Sequence, residues 1–81
     1  MSNSNVPQAL RNLGITNMNI TRLNLRDKNL TSIPKEIGNL KTLTWIDLSI
    51  NNLTSIPEEF GKLKNLIHLN LGTNKLRIIP P

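Results

Sequence analysis

Three stretches of this chain say nearly the same thing at a spacing of 23 residues. The middle one is the most complete: Leu43, Ile46 and Leu48, then Asn51 and Leu53, followed by Thr54-Ser55-Ile56-Pro57. Its predecessor runs Ile20, Leu23, Leu25 and Leu30, then Thr31-Ser32-Ile33-Pro34. Its successor runs Leu66, Leu69, Leu71, Asn74 and Leu76, then Ile79-Pro80. A period this short dictates a stack, because one copy cannot bury its own apolar side and must lean on its neighbours.

Each copy divides into two halves. In the first, the alternation around Leu23/Leu25, Ile46/Leu48 and Leu69/Leu71 has the period of a strand. Long crossovers return the chain in the same direction, so the strands pair in parallel. Asn51 and Asn74 stand at the turn that follows, where an amide can satisfy backbone donors and acceptors alike. Lys28 holds that place in the first copy and cannot accept a hydrogen bond. One rung of amides is therefore expected to be missing, unless Asn29 substitutes. In the second half Pro34 or Pro57 fixes the entry, glutamates come early, lysine comes late, and Gly38 or Gly61 interrupts. That pattern predicts a 3₁₀ or single-turn element and not a long helix.

These residues resemble the leucine-rich repeat family, whose phrase is L-x-x-L-x-L-x-x-N-x-L. The phrase stands intact at Leu43–Leu53 and Leu66–Leu76, and at Ile20–Leu30 with Lys28 in the Asn slot. The outer segment, Leu-Thr-Ser-Ile-Pro-x-x-Ile/Phe-Gly-x-Leu, is similar to the 23-residue class of Ras-pathway-type scaffolds and of bacterial and large-virus members. The resemblance covers residues 20–81. It implies an α/β fold, a short right-handed solenoid with parallel strands on the concave face and short helical or 3₁₀ segments on the convex face. It also implies a non-enzymatic, protein-binding role. On this reading residues 1–19 form an amino-terminal tail and helical cap, with residues 1–5 disordered and a short helix over Val6–Gly14. Residues 20–42 and 43–65 are complete repeats, and 66–81 is a partial, uncapped third.

Composition removes several classes of function. With no Cys and one His, neither a thiolate metal site nor a pair of imidazole ligands is available, and no cofactor is expected. The polar start carries no secretory signal and nothing reaches the length of a membrane span, so a cytoplasmic location is expected. A net charge of +5 weakly favours acidic partners. Two aromatic residues in all make a poor platform for bases, so nucleic acid is an unlikely partner, and no small-molecule substrate is expected. Asn19, Asn29 and Asn52 each open a glycosylation-type tripeptide, but the repeat phrase generates these by itself.

Strand positions that do not point inward stack from rung to rung about 4.8 Å apart. They give the files Arg22–Trp45–His68 and Asn24–Asp47–Asn70, with Arg26–Ser49–Gly72 beyond and Asp27–Ile50–Thr73 at the edge. Trp45 is the leading candidate for a partner contact, with local packing on Arg22 or His68 as its alternative. Arg22 and Arg26 share a face that could hold an acidic partner. Asp47 has no second carboxylate in its file, so a general acid/base pair is not assembled. The last repeat ends its phrase at Pro80-Pro81. It should expose an apolar edge of Leu66, Leu69, Leu71, Leu76, Ile78 and Ile79, suited to homodimer formation or to the continuation of a longer array.

Overall fold

The computed structural model describes residues 5–77. Over them, β1 (Arg22–Asn24), β2 (Trp45–Asp47) and β3 (His68–Asn70) form one sheet in chain order, each pair parallel. The register is the sequence period itself: Leu23 lies beside Ile46 and Ile46 beside Leu69. Backbone bonds extend the pairing past the short strands. Thr44 N and Trp45 N donate to Thr21 O, Leu25 N to Asp47 O and Asp27 N to Ser49 O. The same bonds recur one coil later, from Ile67 and His68 to Thr44 O, Leu48 to Asn70 O and Ile50 to Gly72 O. Each strand then breaks at a left-handed residue, Asp27 (φ 57°), Ile50 (φ 55°) or Thr73 (φ 55°).

The return halves form 3₁₀ turns at Lys35–Asn39 and Glu58–Lys62, each entered through an extended proline, Pro34 or Pro57. Ile37 N donates to Pro34 O and Phe60 N to Pro57 O, both at 3.1 Å, the three-residue reach of a 3₁₀ turn. Gly38 lets the two turns lie against each other, since a Cβ there would sit 2.8 Å from the Glu59 carbonyl oxygen.

The expected helix over Val6–Gly14 is cut to α1 (Gln8–Arg11), started by Pro7. It ends in a six-to-one closure, with Ile15 N donating to Leu10 O and Gly14 N to Arg11 O, and Gly14 at φ 87°. Val6, Leu10 and Ile15 are buried in one cluster with Leu23, Leu25 and Ile37, and α1 packs on the first 3₁₀ turn. Asn5, expected to be disordered, is placed and exposed. The rest of that tail, residues 1–4, lies outside the described residues, as do Ile78, Ile79 and the two terminal prolines.

Candidate functional site

Parallel, in-register strands place the same side-chain position of successive coils directly above one another, and the most distinctive result is at the first outward position. Arg22 pairs with Trp45 and Trp45 with His68. All three end in flat groups, and they stack. The Arg22 guanidinium carbon lies 4.5 Å from the centre of the indole, and the His68 ring lies 5.5 Å away at 7° on the other side. At an exposed site the cation–π contact contributes about 0.5–1 kcal/mol. The packing partners expected for Trp45 are thus both engaged. Its two ring faces are covered, so a partner meets the ring at its edge.

The second file behaves differently from the first. Asn24 Oδ1 accepts from Arg26 N at 3.0 Å, and Asn70 Oδ1 from Gly72 N at 2.9 Å. Asp47 Oδ1 accepts from Ser49 N at 2.9 Å and from the Ser49 hydroxyl at 2.6 Å. Each is an Asx turn, the side chain capping the backbone two residues on. Asn24 and Asn70 stay exposed, but Asp47 is only 8% exposed and Ser49 6%. This differs from the open placement expected for Asp47, because β2 has a strand on either side of it while β1 and β3 are the edges of the sheet. The Ser49 hydroxyl and then its N–H hold the Asp47 carboxyl below the usual carboxylate range, helped by Arg26 and His68 and opposed by burial.

At the turn beyond the strands the asparagines do what their position predicts, with one shift. Asn51 Nδ2 donates to Leu25 O, Leu48 O and Ser49 O. Asn74 Nδ2 donates to Leu48 O, Leu71 O and Gly72 O, and its oxygen accepts from Leu53 N. The first turn, lacking an amide, is closed from the coil above and not by Asn29: Asn51 Oδ1 accepts from both Lys28 N and Leu30 N. Below Lys28 a hollow of about 370 Å³ opens between Asn12, Leu13 and Gly14 on one side and Leu25 and Leu30 on the other.

One surface residue escaped sequence reasoning. Ile67 is 87% exposed beside His68, where the other coils carry Thr21 and Thr44. The replacement of threonine by isoleucine at an outward position is the signal that marks it. Among the described residues no group of three His, Cys, Asp or Glu side chains could hold a metal ion, and no helix is long and apolar enough to cross a membrane.

A family model described as leucine rich repeat matches residues 18–76, and the chain belongs to that family. No curated protein matches the chain. Domains of this family generally mediate protein–protein interaction and are typically non-enzymatic.

Proposed function

We propose that the chain is a cytoplasmic, non-enzymatic interaction module that receives a protein partner on its concave strand face, around Arg22, Trp45 and His68. The observation that carries this reading is the three-layer stack of flat side chains at the first outward strand position. Stacking pre-orders these side chains before any partner arrives, so less side-chain entropy is lost on binding. The exposed Ile67 adds an apolar contact at its end. The test is Trp45→Ala in the full chain, used as bait. Recovery of a specific partner should fall about tenfold or more, as for an aromatic anchor, while the circular-dichroism melt stays close to that of the parent. Undiminished recovery refutes the reading.

A second reading, pairing of two copies through the end of the third coil, is favoured by the half-buried state of Leu66, Leu69, Leu71 and Leu76. Light scattering after gel filtration distinguishes it. A mass that rises with concentration supports pairing, and a constant monomer mass rules it out.

A further inference from the structure

Most of the outward polar groups of the strand face are hydrogen-bond donors. A backbone N–H can be met only by an acceptor, so the bonds from Arg26 N and Gly72 N fix which end of each amide is used. The oxygens of Asn24 and Asn70 are turned in, and their NH₂ groups are what remains for a partner. To these are added the guanidinium of Arg22 and the guanidinium of Arg26, both donors. The exceptions are the second oxygen of Asp47, whose first is spent on the Ser49 N–H and hydroxyl in a side chain only 8% exposed, and the ring of His68. The chain has five carboxylates. Three of them, Glu36, Glu58 and Glu59, lie on the two 3₁₀ turns, and Asp27 stands past the strand at the left-handed break.

We infer that the partner segment received on this face is an acidic peptide, rich in Asp or Glu carboxylates. This rests on the concave-face reading above and gives its partner a chemistry. Donors left unmet in an interface are costly, and carboxylates supply the acceptors that meet them with charge-assisted bonds. Nucleic acid offers acceptors too, but base stacking needs an open aromatic face. Both faces of Trp45 are taken by Arg22 and His68.

The probe is N-acetylated octaglutamate, titrated into the full chain and followed by calorimetry and by the emission of Trp45, the only tryptophan. Saturable binding with a change in emission is expected, weakened by salt. The double variant Arg22→Gln/Arg26→Gln should bind about tenfold more weakly or worse. Lys62→Gln/Lys64→Gln, on the opposite half of the coil, should bind within about twofold of the parent. Absent binding, or equal loss in the two double variants, overturns the inference. So does an oligothymidylate that binds as tightly and depends on the same arginines. If octaglutamate fails to displace a partner whose capture needs Trp45, the acidic assignment falls while the concave-face reading stands. If capture never needed Trp45, it is the underlying reading that falls.

Discussion

The second and third coils carry nearly the same residues and live in different surroundings. Leu43, Ile46 and Leu53 are 0% exposed and Leu48 1%, because a coil lies on either side of them. Among the described residues, their counterparts Leu66, Leu69, Leu71 and Leu76 are packed on one side only and remain half-buried. The first coil also has a neighbour on each side, since Val6, Leu10 and Ile15 occupy the space beneath it. Among the described residues, stability is therefore concentrated in the middle of the stack and thins toward its later end. In a repeat architecture this follows from nearest-neighbour coupling and not from any weakness in the third sequence.

The sharpest way to break this contrast is to remove the same apolar group from both coils. Ile46→Ala should cost about 3–4 kcal/mol, a full transfer term plus a cavity with no room to collapse. Leu69→Ala, half-wet already, should cost about 1–2 kcal/mol. Urea denaturation of the two variants checks this, and equal losses would mean that the third coil is covered after all.

The glycines make a smaller version of the same experiment. Gly38→Ala puts a methyl 2.8 Å from the Glu59 carbonyl oxygen, and should cost about 1–3 kcal/mol. Gly61→Ala meets nothing within 4 Å and should be neutral or stabilising by about 0.5 kcal/mol. A shared loss at both positions would place an unseen neighbour over Gly61.

The smallest effect expected is on the acid limb of stability. The carboxyl of Asp47 has a folded pKa below its unfolded one, so its contribution is present above the ordinary carboxylate range. It is lost as the pH falls through and below that range. Asp47→Asn copies the amides of the neighbouring coils, keeps the acceptor for Ser49 and removes the titration. Melting temperatures measured from about pH 5 to pH 2 should fall less steeply in the variant than in the parent.

Most of the fold was legible because one number, the period, sets register, strand direction and stacking together. The 3₁₀ turns followed from proline at the entry and glycine in the middle. The Arg22–Trp45–His68 file could be written down before any coordinates, since parallel strands in register admit no other. What could not be read was how each side chain is spent. Alternation places Asp47 outward, yet an acceptor two residues before a free N–H folds back onto it, and Ser49 completes the closure. The spacing Asn24-x-Arg26, Asp47-x-Ser49, Asn70-x-Gly72 is the trace of this in the chain. Likewise Lys28 looks like a missing rung until the reach of Asn51 into the coil beneath it is seen.

The left-handed residues at the strand ends have a mechanical consequence. Ile50 and Thr73 are β-branched and hold φ near 55°, a conformation that costs on the order of 1–2 kcal/mol for such side chains. Ile50 is clamped there by its bond to Gly72 O, so its tension is borne by the coil above. If β3 frays, that clasp opens and Ile50 can unwind, which would carry the loosening one layer deeper into the stack.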